Sequence, residues 1–166
     1  MIRLANKNDI NRIAEIELFV NRFNFCNILS NEILYGKISY EYNINWLTRS
    51  FDDMEKNRGI EYYIFEDNNI IKGYFSIGYG PNNEQECEII NICIDVPFQN
   101  KKYGTILIDY CIELLKNRGK KIIRLNVFEN NITAIKLYEK QGFIIEKKYF
   151  SEEWKINILK YKKEIK

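Results

Sequence analysis

The stretch from Ile92 to Thr105, reading ICIDVPFQNKKYGT, constrains this chain more than any other. An apolar run, Ile92-Cys93-Ile94, leads into Val96-Pro97, then a basic loop, then Gly104-Thr105 at the head of an amphipathic segment. The first-turn N–H groups of a helix lack intrahelical partners, and the helix dipole places partial positive charge there. A strand feeding such a loop is a phosphate cradle in outline. Lys101 and Lys102 add full charges, so the loop points to a phosphorylated cofactor. The dinucleotide fingerprint needs three glycines as G-x-G-x-x-G, and the P-loop needs G-x-x-x-x-G-K-[ST]; this stretch fits neither.

Periodicity places that loop within an alternation of strands and helices. Met1 to Ala5 reads as a short strand. Asn8-Asp9 offers N-cap chemistry before Ile10, Ile13, Ile16, Glu17 and Val20, whose spacing predicts a helix to about Arg22. Residues 23 to 40 mix Asn, Cys, Ser and Gly with aromatics and stay ambiguous. Tyr42, Trp46, Leu47 and Phe51 predict a second helix to Lys56, ended by Gly59. Ile60 to Glu66 and Ile70 to Tyr79 read as strands joined by Asp67-Asn68-Asn69. Gly80-Pro81-Asn82-Asn83 predicts the next turn, and Glu86 to Asp95 a third long strand. A helix follows over Tyr103 to Asn117, with Ile106, Leu107, Tyr110 and Leu114 on one face and Arg118-Gly119 at its end. Then come a strand over Lys121 to Phe128, a helix from Asn131 to Gln141 stopped by Gly142, and closing strands over Phe143 to Tyr149 and Trp154 to Tyr161. This is an α+β order, a mixed sheet with helices on both faces. With no repeat or linker, residues 1–166 read as a single domain.

Two segments carry a resemblance. Gln99-Asn100-Lys101-Lys102-Tyr103-Gly104 follows a strand and a proline. It resembles motif A, Q/R-x-x-G-x-G/A, of the GNAT superfamily of acyl-CoA-dependent N-acetyltransferases, with Lys102 in place of the first glycine. One helix and one strand later, Asn131, Ala134, Leu137-Tyr138 and Gly142-Phe143 resemble that superfamily's motif B, N-x-x-A-x-x-L-Y-x-x-x-G-F. Together they cover about Glu84 to Phe150.

The resemblance implies a mostly antiparallel mixed sheet of about seven strands between helices, with a splayed parallel central pair whose V-shaped gap takes the cofactor. It implies acetyl-CoA as co-substrate, an amine as acceptor, and direct transfer in a ternary complex. The backbone of Ile92, Cys93 and Ile94 would pair with the pantetheine arm, one N–H polarising the thioester carbonyl. Gln99, Asn100, Lys101, Lys102, Tyr103, Gly104 and Thr105 would cradle the pyrophosphate. Asn131 would cap its helix and contact pantetheine, and Ala134 would leave room for it. Tyr138 would act as general acid toward the sulfur; as an alternative, it is a core aromatic. Leu137 and Phe143 read as core. Asn126 stands where the branch that modifies ribosomal-protein N-termini has a glutamate, and an amide is no base.

Glu88 matches the strand glutamate that serves as base in the histone-acetyltransferase branch. Alternation places Glu88, Ile90, Ile92 and Ile94 on one face. A carboxylate on an apolar face has a raised pKa, as a base near neutrality needs. The alternative is an exposed strand start paired with a lysine. Tyr138 and Glu88 favour an enzyme. Lys102 and Asn126 favour a non-catalytic acyl-CoA-binding module. The acceptor would meet residues 20 to 55 and the hairpin near residue 80. Tyr35, Tyr40, Tyr42, Trp46 and Phe51 make this region aromatic, and Asp52, Asp53 and Glu55 make part of it acidic. That suits a small cationic amine and equally suits ordinary packing.

Composition narrows the classes. The net charge is +2, with basic and acidic residues interspersed, so no concentrated patch argues for nucleic acid. The basic cluster Lys160, Lys162, Lys163 and Lys166 reads as a solvated edge. The chain has no histidine, which removes His triads, His metal sites and an imidazole base, and no metal is expected. Cys26, Cys87, Cys93 and Cys111 form no C-x-x-C pair. Cys87 and Cys93 would lie about 20 Å apart along one strand, too far to bridge. Free thiols, no apolar run of membrane length and no signal-peptide core in MIRLANKND lead to a cytoplasmic expectation, without a membrane partner and with a homodimer left open.

Overall fold

β-branched and aromatic residues concentrate between Ile60 and Ile94, and there the sheet is longest. The computed structural model describes residues 1–55, 59–79 and 84–165. Among them run seven strands: β1 (Ile2–Leu4), β2 (Ile60–Asp67), β3 (Ile70–Gly78), β4 (Glu86–Ile94), β5 (Ile122–Phe128), β6 (Ile144–Ser151) and β7 (Ile156–Glu164). They form one sheet in the order β1-β2-β3-β4-β5-β7-β6. Every neighbouring pair is antiparallel except β4 and β5, which are parallel. The expected turn at residues 80 to 83 and the expected helix end at Lys56 lie outside the described residues.

Helices cover both faces. On one side, α1 (Ile10–Phe25) and α2 (Tyr40–Glu55) bury Ile13, Ile16, Leu47 and Phe51 against Tyr62, Ile64, Tyr74 and Cys93. On the other, α3 (Tyr103–Asn117) and α4 (Ile132–Lys140) pack over Phe75, Ile77, Ile89, Ile123 and Leu125. The buried stripe of α3 is Leu107, Ile108, Cys111 and Leu115. Ile106 and Tyr110, expected on that face, are 44% and 39% exposed. Three adjacent apolar residues, Ile106 to Ile108, make two helical faces equally plausible in sequence, and contact with the sheet selects the one a step further on.

Local chemistry shifts several ends. Asn6, and not Asn8-Asp9, caps the first helical turn: its side chain accepts from the Asn8 N–H, while the Asp9 carboxylate accepts from the Asn6 N–H. α1 runs past Arg22 to Phe25, whose ring packs edge-on against Phe128 at 5.0 Å. The ambiguous segment contains a helical turn over Glu32–Lys37, where Ile33 and Leu34 join Leu18, Leu29 and Ile38 in a small third cluster. Phe51 is core, whereas Tyr35, Tyr40, Tyr42 and Trp46 are exposed. Asp52 pairs with Lys7 at 2.9 Å.

One irregularity in β4 matters for function. Ser76 of β3 faces Asn91, but Ile77 faces Ile89, so Ile90 is an extra residue without a partner in β3. This is a β-bulge, and it ends the simple alternation. Cys87 and Ile89 face the α3 side, as do Ile92 and Ile94 beyond the bulge. Cys93 faces the α1 side. Glu88 therefore does not share a face with Ile92 and Ile94, contrary to the alternation expected from sequence.

Candidate active site

The parallel pair opens where the bulge sits. β4 and β5 pair from Glu86 with Ile122 to Ile89 with Leu125, and no further. From Asn91 to Ile94, β4 keeps β3 on one side, and from Ile90 to Ile94 it leaves its other backbone edge without a strand partner. That edge borders a cleft of about 550 Å³. Ile92 and Ile94 line its floor, Val20, Phe23 and Asn24 of α1 one wall, and Asn131 to Ala134, Leu137 and Tyr138 of α4 the other. The loop before α3 closes one end with Gln99, Asn100, Lys102, Gly104 and Thr105.

That loop is held in an uncommon conformation. The Gln99 side chain donates to the Ile94 carbonyl at 3.0 Å and ties the loop to the strand end. Asn100 and Lys102 are both left-handed, at φ of 61° and 64°. Lys102 is also the N-cap residue of α3 and provides no side-chain cap. A left-handed non-glycine residue costs roughly 1–2 kcal/mol. Such strain is found where loops serve ligands, and residues of alternating hand turn successive N–H groups toward one anion. Lys102 stands where the resembled motif has glycine, and it takes the conformation glycine takes most easily. Gly104 itself is helical; a Cβ there would only touch Leu137 at 3.4 Å.

Some expected residues lie elsewhere. Lys101 projects over the Phe98 ring at 5.5 Å, and the Tyr103 ring packs on Phe65 at 4.9 Å. The Cys93 side chain enters the α1-side core, leaving only its backbone at the strand edge.

α4 begins at the cleft. The Asn131 side chain accepts from the Ala134 N–H at 3.3 Å, the cap expected of it. Two turns later Tyr138 reaches the same cleft. Its ring meets Phe143 edge-on at 6.0 Å, and only 8% of its surface is exposed. Burial, and after it the neighbouring Cys93 and Cys111 thiols, push its phenol well above the ordinary tyrosine range. A phenol so held stays protonated at neutral pH and can donate to a nascent thiolate.

Glu88 stands on the opposite face, outside this cleft. It lines a polar basin of about 470 Å³ with Arg124 and, from the outer strands, Glu146, Lys147 and Lys160. Its hydrogen-bond partner is the Asn126 amide at 2.6 Å, rather than a lysine. Arg124 is held by Glu146 at 3.0 Å and by Glu86. The Tyr149 hydroxyl donates to the Asn126 oxygen at 3.4 Å. Asn126 is thus fixed from both ends at the divergence of β4 and β5.

The α1 wall falls within residues 20 to 55, which were expected to meet the acceptor; that Val20, Phe23 and Asn24 line this cleft was not expected from sequence. Val20, Phe23 and Asn24 sit near the end of an apolar stripe that reads as core. The interruption of that stripe by polar Asn24 and exposed Phe23, 61% exposed, is the signal that this end faces a cleft. Among the described residues no group of three His, Cys, Asp or Glu side chains could hold a metal. No described helix is long and apolar enough to cross a membrane.

Comparison with known proteins agrees with this geometry. The profile of the acetyltransferase (GNAT) family matches residues 27–143. The chain is 38% identical over 58 residues to the [ribosomal protein bS18]-alanine N-acetyltransferase of Salmonella typhimurium, a match covering 35% of this chain and 39% of that enzyme. It thus spans about two-fifths of that curated relative's length. In structure it is similar to the PaiA N-acetyltransferase of Thermoplasma acidophilum in complex with coenzyme A, with a TM-score of 0.82 over 98% of both chains at 19% identity. It is also similar to YncA of Salmonella typhimurium with its cofactor acetyl-CoA, with a TM-score of 0.73 at 18% identity, covering 100% of this chain and 94% of that one.

Proposed function

The chain belongs to the acetyltransferase (GNAT) family, and on that premise we propose that it moves the acetyl group of acetyl-CoA to a primary amine by direct attack in a ternary complex. The observation that carries this reading is the unpaired β4 edge from Ile90 to Ile94, opening on a cleft whose end is the left-handed loop at Asn100 and Lys102. An extended pantetheine arm would add to that edge as a strand does. Its pyrophosphate would rest on the loop and on the first turn of α3, assisted by the Lys102 charge. One N–H of Ile92 to Ile94 polarises the thioester carbonyl as a fixed dipole. Asn131 holds the arm, Ala134 leaves it space, and Tyr138 protonates the departing sulfur.

The acceptor enters from the face of Glu88. There Glu88 attracts its ammonium and, as base, takes the first proton from it, while Asn126 and Tyr149 hold Glu88 in place. The buried thiols Cys87, Cys93 and Cys111 agree with a reducing, cytoplasmic setting. The test is thiol release from acetyl-CoA with a panel of primary amines: peptides with N-terminal alanine, small amines and aminoglycosides. Thiol release dependent on one class of amine supports the reading. CoA binding without thiol release from any of them favours a non-catalytic acyl-CoA-binding module.

A further inference from the structure

The basin beside Glu88 carries charges that the mechanism above does not use. It lies on the side of Glu88 away from the splay: Glu86 and Arg124 line it, and the parallel strands part only beyond Ile89 and Leu125. The acceptor's nitrogen must approach the splay, where the thioester would lie, so the basin receives the rest of the acceptor. The sheet face there is open, because the core built by α1 and α2 takes no residue from β5, β6 or β7. Residues that stand across from one another in a sheet share a face. Asn126 of β5 stands across from Lys160 of β7, and Lys160 from Lys147 of β6. A second bulge, at Glu146, turns that carboxylate into the same basin.

Some of the lining charges are matched and others are not. Arg124 is closed on both sides, by Glu146 at 3.0 Å and by Glu86. Glu88 has a neutral partner, the Asn126 amide, and no cation at ion-pair distance among the described residues. Lys147 and Lys160 have no carboxylate at ion-pair distance among the described residues either. Lys160 is half-buried and bears on Glu146 only from further off. Lys147 lies over the Tyr149 ring at 5.2 Å, Tyr149 donates to Asn126, and Asn126 donates to Glu88. One run of contacts therefore holds an unmatched cation at one end and an unmatched anion at the other. A charge withdrawn from water is ordinarily matched by a partner.

These charges select among amines. A polycation would set its further ammonium groups against the two lysines. A plain alkylamine would leave both lysines unmatched. An acceptor that brings its own carboxylate matches both ends at once. β4 and β7 are two strands apart, about 10 Å between axes, and the long lysine side chains shorten that span. The two charges of a fitting acceptor thus stand several bonds apart. We infer that the acceptor is an amine with a carboxylate several bonds from its nitrogen, the ammonium held by Glu88 and the carboxylate by Lys147 and Lys160. A peptide N-terminus with an acidic second residue has this form, and so has an ω-amino acid. This rests on the acetyl-transfer reading and names the class of its acceptor.

The test is kcat/KM for thiol release from acetyl-CoA with matched amines that differ in the carboxylate alone. The peptide arm compares the C-terminally amidated dipeptides Ala-Glu and Ala-Gln. The small-molecule arm compares δ-aminovalerate with δ-aminovaleramide. In at least one arm the acid exceeds its amide by ~10-fold, the scale of a charge-assisted hydrogen bond, and that arm identifies the source. Lys147→Met with Lys160→Met closes the gap by raising KM for the acid. Lys147→Glu with Lys160→Glu reverses it in favour of the cationic counterparts, amidated Ala-Lys and cadaverine. Calorimetry of the acid into CoA-saturated protein reads the same contacts without turnover, and the methionine variant binds more weakly. Acid no better than amide in both arms, release only with amines that lack a carboxylate, or a gap that survives the methionine variant overturns this inference alone. A protein that releases no thiol with any amine overturns the acetyl-transfer reading, and this inference with it.

Discussion

The side-chain amide of Asn126 donates a 2.6 Å hydrogen bond to Glu88, tying β5 to β4 just where the two strands part. The Tyr149 hydroxyl donates to the other end of the same amide. A glutamine at residue 88 could still accept from Asn126, so Glu88→Gln keeps this bridge and loses only the charge. The variant should raise KM for the acceptor and lower turnover by ~10²-fold, the scale of a lost base. Its affinity for CoA should match wild type, because Glu88 faces away from the cleft proposed for the cofactor. Steady-state kinetics against acceptor and calorimetry with CoA check both halves. Wild-type acceptor kinetics would remove Glu88 from the site.

Lys102 holds a conformation that favours glycine. Lys102→Gly relieves the left-handed penalty but gives the unfolded chain more freedom, for a net gain of about 0.5–1 kcal/mol. For a chain of this length the expected rise in Tm is roughly 1–4 °C. Lys102→Ala should give none, since alanine keeps the steric penalty. The glycine variant should also bind CoA more weakly at low salt than wild type, because a cation is gone. Thermal melts and salt-dependent calorimetry read out the two effects.

Tyr138→Phe keeps the ring that packs against Phe143 and removes one hydroxyl. Turnover should fall by ~10²-fold, with CoA affinity unchanged. Single-turnover kinetics isolate the chemical step. An undiminished rate there would reduce Tyr138 to a packing residue.

The loop before α3, the Asn131 cap and the place of Tyr138 in the cleft were legible because each depends on local chemistry: a strand-to-helix turn, a side chain capping its own helix, a spacing of two turns. The face occupied by Glu88 was not. It depends on the bulge at Ile90, which exists because β3 pairs past that residue, and nothing within β4 announces it. The buried face of α3 failed for a similar reason, since Ile106, Leu107 and Ile108 leave the sheet to choose. Glu17 stands in sequence within the apolar spacing of the first helix. Its alignment with buried Ile13 and Val20, four residues before it and three after, was the available hint to its burial.

Glu17 should mark the stability curve. Burial pushes its folded carboxyl up to about 7, against an ordinary value of 4.5. Between those values the unfolded chain has released the proton that the folded chain retains. Stability is therefore full below about 4.5 and falls as pH rises toward 7. The loss amounts to about 3 kcal/mol at 1.36 kcal/mol per unit. Glu17→Gln removes this slope, so its advantage over wild type should grow from pH 5 to pH 8. Urea denaturation at both pH values measures it; parallel curves for the two proteins would place the carboxyl in water.

The central claim is that the gap between β4 and β5 holds an acyl-CoA. Titration of the wild-type protein with CoA in a calorimeter, beside an Ala134→Trp variant that fills the gap from α4, tests it most directly. The account predicts saturable one-to-one binding by wild type, with a Tm that climbs with CoA concentration, as mass action requires. It predicts a folded variant with neither response. Wild-type protein that gives no binding heat and no Tm shift at millimolar CoA would contradict the claim, as would a variant that binds as wild type does.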